Sequence, residues 1–163
     1  MKKIIINSPK FGRHEVLVDD EDFELVSQYK LSVCWGKYNS FYAVAYYPPK
    51  KNNVQLSRLI LGLNDKRKVD HADGNGLNNQ KSNIRYCSDC QNSMNKPIQK
   101  NNKSGYKGVH FQNNANKFRV RITVKSIKMH GGYFESPIDA AKRYNELAIQ
   151  YHGEFARLNP IPQ

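Results

Sequence analysis

Three cysteines in 163 residues are too few, and odd in number, for a disulfide framework, which points to a reducing compartment. No apolar run approaches the roughly 18 residues that span a bilayer, so a membrane is not an expected partner. The N-terminal MKKIIINSPK has a basic start but too short an apolar stretch for a signal peptide, and the expected location is intracellular, in the cytoplasm. Apolar residues make up only 39%, below the usual globular share, which disfavours a single large core and fits two compact modules better. Acids are scarce toward the C-terminus. Residues 96–163 hold 12 Lys/Arg against 4 Asp/Glu, a net +8, whereas residues 1–95 hold 14 against 10, a net +4.

What is present in excess is positive charge. A formal +12 and a pI near 9.6 keep a chain soluble and draw it to polyanions. Nucleic acid is the first candidate and an anionic membrane surface the second.

The pattern along the chain predicts an α+β protein. In residues 1–55, stretches 14–18, 31–35 and 42–47 are rich in β-branched and aromatic residues and read as strands. Residues 54–56 would start a return strand after a turn at 48–53. Residues 19–26 read as a short helix with acids in its first turn, where the helix dipole favours them. The second region, 56–95, reads as strand 68–71, a Gly/Asn loop, strand 84–87, and a short helix 89–95. Residues 96–104 have a single apolar residue, Ile98, and read as a solvated linker. Residues 105–163 form a third region. There Phe118, Val120, Ile122 and Val124 alternate with Arg119, Arg121 and Thr123, the period-two signature of a strand with one buried face. Strands at 106–111 and 127–134 flank it. Ser136, Pro137 and Asp139 predict a capped helix start, Ala140, Ala141, Tyr144, Leu147, Ala148 and Tyr151 its apolar stripe, and Gly153 its end.

The open face of that C-terminal sheet carries Arg119 and Arg121, joined according to register by Lys107 and Lys128. Basic residues on an outer strand usually only keep a sheet soluble. Here acids are nearly absent and arginine's planar fork suits guanine acceptors or phosphate, so nucleic-acid contact is the stronger reading. The face shows no obvious aromatic stacking pattern, which turns against RNA. YKGV at 106–109, KF at 117–118, GYF at 132–134, Ala140, Ala141, Tyr144, Gly153 and LNP at 158–160 resemble the plant APETALA/ethylene-response-factor DNA-binding domain. The resemblance covers about residues 104–160. It implies a sheet in the major groove of double-stranded DNA, with contacts from Lys107, His110, Arg119, Arg121 and Lys128. Phe118 and His130 stand where that family commonly has tryptophan, and Arg121 replaces an acid, so its base preference does not carry over.

In the second region, His71 lies among acids, amides and glycines. Hydrolysing a phosphodiester needs a base, which a neutral histidine can be, and a cation to neutralise phosphate charge. A hard cation takes oxygen ligands, which Asp70 and Asn92 offer, while Asn83 can fix the imidazole. DHADGNGLNN at 70–79, NIR at 83–85 and QNSMN at 91–95 resemble the HNH nucleases of the homing-endonuclease branch. The resemblance covers about residues 56–96. It implies a ββα-metal unit with His71 as general base, Asn83 positioning it, and Asp70 and Asn92 on one divalent ion, Mg²⁺ first and Mn²⁺ as the alternative. Ser57 in SRLI at 57–60 replaces the histidine common in that branch. Cys87 and Cys90 form a CxxC, but a structural zinc wants four ligands and no second pair exists, so zinc is not expected. The reading is a site-specific endonuclease that acts as a monomer on DNA. The competing class is a DNA-binding regulator with a non-catalytic HNH remnant.

Overall fold

The computed structural model describes residues 1–36, 40–48 and 52–162. The described residues form small antiparallel sheets and a few helices, an α+β arrangement. They fall into two compact units, Met1–Ser88 and Asp89–Gln163, each with its own core. The division falls inside the stretch 56–95 that the sequence groups together.

In the first unit, β1 (Lys2–Ser8) and β2 (Gly12–Val18) make a hairpin. Its turn closes through Gly12, at φ +80°, and a bond from Phe11 N to Ser8 Oγ. β1 has no counterpart in the sequence reading, because Ile4, Ile5 and Ile6 are contiguous rather than alternating. The strand nevertheless separates them: Ile6 is buried while Ile5 is 42% exposed. The helix expected at 19–26 is a 3₁₀ turn, Asp20–Asp22, followed by α1 (Phe23–Ser27).

A second sheet has the order β3 (Leu31–Trp35), β4 (Phe41–Tyr47), β5 (Asn52–Gln55). Trp35 pairs with Phe41, and the rings meet edge-on at 4.7 Å with the indole half-exposed. Of the turn expected at 48–53, Pro49, Lys50 and Lys51 lie outside the described residues. Leu56 does not continue the strand. It starts α2 (Leu56–Ile60), whose Leu56, Ser57 and Ile60 are buried at helical spacing.

The third sheet is the hairpin of β6 (Lys68–His71) and β7 (Ile84–Cys87). Ile84 joins Val16, Val18, Val26 and Leu56 in one core, so the hairpin is bound to the N-terminal sheets. Each such side chain contributes about 1.5–3 kcal/mol by burial.

The second unit starts with α3 (Asp89–Met94). Its sheet has the order β10 (Ile127–Phe134), β9 (Lys117–Val124), β8 (Val109–Gln112), with α4 (Pro137–His152) on one face. Val109, Val120, Ile122, Ala140, Ala141, Tyr144, Leu147 and Ala148 form the core. Ser136 Oγ accepts from the backbone N–H groups of Ile138 and Asp139, a working N-cap. The Asp139 carboxylate, expected to return a bond to the cap, lies 3.7 Å from Lys142 Nζ. Tyr151 is not in the stripe: it is exposed, and His152 is buried instead, with Nε2–H donating to Thr123 O at 2.9 Å.

Part of the expected linker is built in. Ser104 Oγ donates to Val109 O at 2.7 Å, and Asn102 Nδ2 to Tyr106 O at 3.0 Å. Gly108 sits at φ +73°, where an added Cβ would meet the Tyr144 ring at 2.1 Å and Arg121 O at 2.8 Å. Gly105, at φ +77°, has open space around it. Gly108→Ala is therefore expected to lower stability by about 2–4 kcal/mol and Gly105→Ala by about 1 kcal/mol, from strain with and without overpacking. Urea titration followed by far-UV circular dichroism checks this, and equal losses would exclude the Tyr144 contact as the cause.

Candidate functional site

The loop between β6 and β7 is organised by short polar side chains that fold onto the backbone two residues ahead. Asp73 Oδ1 accepts from Asn75 N at 2.7 Å, Asn75 Oδ1 from Leu77 N at 3.1 Å, and Asn78 Oδ1 from Gln80 N at 3.4 Å. Asp73 is also the hub. Its Oδ2 accepts from Asn78 Nδ2 at 2.8 Å. Its Oδ1 accepts from Asn83 Nδ2, and its N–H donates to Asn83 Oδ1, both at 3.0 Å. Asn83 thus closes the loop on itself, with a further bond from Nδ2 to Asn78 O at 2.8 Å.

The loop is also moored to the first hairpin. Leu17 N donates to Leu77 O at 2.9 Å, and Asn79 N to Leu17 O at 2.8 Å. Asp19 takes Gln80 Nε2 at 3.0 Å and Lys81 N at 2.8 Å, bonds that hold its carboxyl below the usual range. Lys81 Nζ reaches Glu21 at 2.6 Å and Asp22 at 3.0 Å. Gly76 fits against Phe41 O and the Tyr42 ring, where a Cβ would meet each at 2.5 Å.

His71 is 6% exposed at the end of β6. The Tyr42 ring stands 5.9 Å from the imidazole, at a steep angle. Asn79 Nδ2 bonds Gly76 O, which turns its Oδ1 toward His71 Nε2 at 3.3 Å. This places the proton on Nε2 and the basic lone pair on Nδ1. Burial pulls the imidazole below its ordinary pKa, against the bond from Asn79 and the charges of Asp73 and Asp70. The net direction keeps the ring neutral near pH 7 and able to accept a proton.

Asp70 is paired in register with Arg85 across the hairpin. Its Oδ2 accepts from Arg85 Nε at 3.2 Å and Nη2 at 2.9 Å. Asp70, His71 and Asn83 all lie in the first unit, each with different side-chain partners. Asn92 lies on α3, in the second unit. The orienting contact at His71 Nε2 comes from Asn79 rather than from Asn83, whose amide is engaged within the loop. Asp73, Asn79 and Arg85 all fall inside the quoted motifs, but spacing alone does not assign their partners. Among the described residues no three of His, Cys, Asp and Glu gather as metal ligands, and neither Cys87 nor Cys90 is in a disulfide.

In the second unit, the open face of the sheet has cross-strand rows of His110, Arg119 and Tyr133, then Arg121 and His130, then Thr123 and Lys128. Partial burial, then the charges of Arg121 and Arg119, lower the His110 pKa. Arg119 Nε is buried without a hydrogen-bond partner among the described residues. The face is not free of aromatics: Tyr133 is 48% exposed and its ring meets that of His130 at a tilt of 53°, with centroids 4.7 Å apart. Lys107 is not part of it. Its Nζ donates to Met94 O and to Lys96 O, the latter at 2.8 Å, at the C-terminal end of α3. Asn159 holds the Lys107 backbone, accepting from its N–H at 2.6 Å and donating to its carbonyl at 3.0 Å. This backbone clamp and the left-handed turn at Gly108 fix the direction of the lysine, which sequence periodicity does not show.

A protein of Acanthamoeba polyphaga mimivirus named as an uncharacterized HNH endonuclease is 33% identical over 147 residues, covering 86% of this chain and 72% of its own length. Protein 3.8 of Escherichia phage T7 is 30% identical over 89 residues, covering 55% of this chain and 73% of its own length. No family model and no solved structure matches.

Burial, then the charges of Arg157 and Lys96, push the Lys107 ammonium down to about 8 from an ordinary 10.5. The unfolded chain therefore binds the extra proton between those values, and stability should rise with pH across that window. Replacing Lys107 by Met should remove this rise, worth about 1–2 kcal/mol between pH 7.5 and 9.5. Urea titrations of both proteins at the two pH values measure it, and parallel pH profiles would contradict it.

Proposed function

Because the chain belongs to the HNH endonuclease family, we propose that it is a site-specific DNA endonuclease in which His71 is the general base and the C-terminal sheet reads DNA. The observation that carries this reading is a buried imidazole whose Nε2 faces Asn79 Oδ1, next in sequence to Asp70 and at the edge of a loop locked by Asp73 and Asn83.

In the proposed reaction, Nδ1 of His71 removes the proton from the water that attacks the phosphate. The amide of Asn79 stabilises the resulting imidazolium through Nε2–H. Asn83 positions His71 indirectly, by fixing the loop that ends at its strand. Asp70 and Asn92 supply hard oxygen donors of the kind that Mg²⁺ or Mn²⁺ takes. When bound, such an ion supplies charge neutralisation at the scissile phosphate and the leaving oxygen. One chain carries one such centre, so a monomer nicks one strand of double-stranded DNA per event.

Affinity and choice of site would come from Arg119 and Arg121, flanked by His110 and Lys128, in the manner of the APETALA/ethylene-response-factor sheet. Lys107 is better assigned to bracing α3. Tethering the reader to the nuclease raises the local concentration of the cutting centre at the site, as a homing endonuclease requires.

With a supercoiled plasmid carrying the target and Mg²⁺ or Mn²⁺, the parent should cut and His71→Ala should lose at least about 100-fold in rate while keeping DNA binding. A parent that binds its target and cuts under no divalent metal would leave the regulator reading in place. Alanine at Arg119 or Arg121 should weaken binding by about 1–3 kcal/mol for a bidentate base contact. Unchanged binding in both variants, measured by fluorescence anisotropy, would remove the sheet from the interface.

A further inference from the structure

Arg85 has no part in the reaction outlined above, yet it makes the most enclosed ion pair among those described. Its side chain is 18% exposed and that of Asp70 9%, whereas the pairs made by Lys3, Arg67, Lys117, Lys142 and Arg143 each have both partners at 43% or more. Two of its N–H groups converge on a single oxygen, Asp70 Oδ2. The two residues are directly opposite in the β6–β7 register, so the hairpin holds the guanidinium at the carboxylate by construction. The side chain is planar and permanently charged and cannot withdraw its charge by losing a proton.

A cation arriving at Asp70 meets this resident charge. Solvent screens the two positive groups poorly at such low exposure, so each opposes the other's hold on the carboxylate. We propose that Arg85 is the resident counter-cation of Asp70 and keeps the affinity of the free protein for a divalent ion low. The proposal rests on the reading of Asp70 as a metal ligand. Its consequence is that a divalent ion is gained mainly together with a phosphate, whose negative charge offsets the crowding of two cations at one carboxylate.

The test uses the full chain and Mn²⁺ alone, with free Mn²⁺ counted by electron paramagnetic resonance at pH 7.5 and folding checked by circular dichroism. Arg85→Gln should bind Mn²⁺ at least about fivefold more tightly than the parent, because the opposing charge is gone. Arg85→Lys keeps the charge and should stay within about twofold of the parent. Equal or weaker binding by a folded Arg85→Gln overturns the proposal. If that variant does not fold, the lysine variant decides, and a fivefold gain there also overturns it. Asp70→Asn separates the two claims. It should abolish binding in the parent and in Arg85→Gln, and binding that survives it would show that the metal reading of Asp70 has failed, whatever Arg85 does.

Discussion

Asn79 holds the histidine loop from two sides at once. Its backbone N–H is bonded to Leu17 O, which ties the loop to the first hairpin, and its side-chain oxygen receives the imidazole of His71. The position of the proposed base is thus transmitted from the N-terminal sheet through one almost completely buried asparagine. The other end of the loop is closed by the reciprocal bonds of Asp73 and Asn83. Neither clamp is strong alone, since a net hydrogen bond contributes about 1 kcal/mol. Their effect is conformational: a glycine- and asparagine-rich loop that would otherwise sample many shapes is left with one. The charges of Asp19, Glu21 and Asp22 serve the same end through Gln80 and Lys81. Four acids of the first unit, Asp19, Glu21, Asp22 and Asp73, are thus engaged in fixing this loop.

The second unit uses charge differently. Arg119, Arg121 and His110 crowd one face of a sheet, and partial burial, then the neighbouring arginines, lowers the His110 pKa. A face of like charge favours an anionic partner over a neutral one. Lys107 shows that basic residues in one short stretch can have opposite roles. Its ammonium is turned inward to carbonyls at the end of α3, where a cation complements the helix dipole.

Much of the second unit was legible in the sequence. The alternation from Phe118 to Val124 has one meaning in a strand, and Ser136 followed by Pro137 marks a helix start in purely local terms. β1 was not legible, because three contiguous isoleucines carry no period and only pairing with β2 decides which is buried. Leu56 read as a strand residue until the core claimed it for α2. At the candidate site, His71 was legible from its chemistry, whereas its partner was not. Asn78, Asn79 and Asn83 offer the same amide, and which one reaches the ring depends on the path of a loop with three successive side-chain-closed turns. Arg85 was hidden for a related reason: its importance comes from the register that sets it opposite Asp70.

The single tryptophan has a practical consequence. Trp35 lies in the first unit, half-exposed and packed edge-on against Phe41 at the end of its sheet. Indole emission from this chain therefore reports on that unit alone, and the arginine-bearing sheet is optically silent at excitation wavelengths that spare tyrosine. A denaturation curve followed by this light and one followed by backbone dichroism would superimpose only if both halves of the molecule melt together.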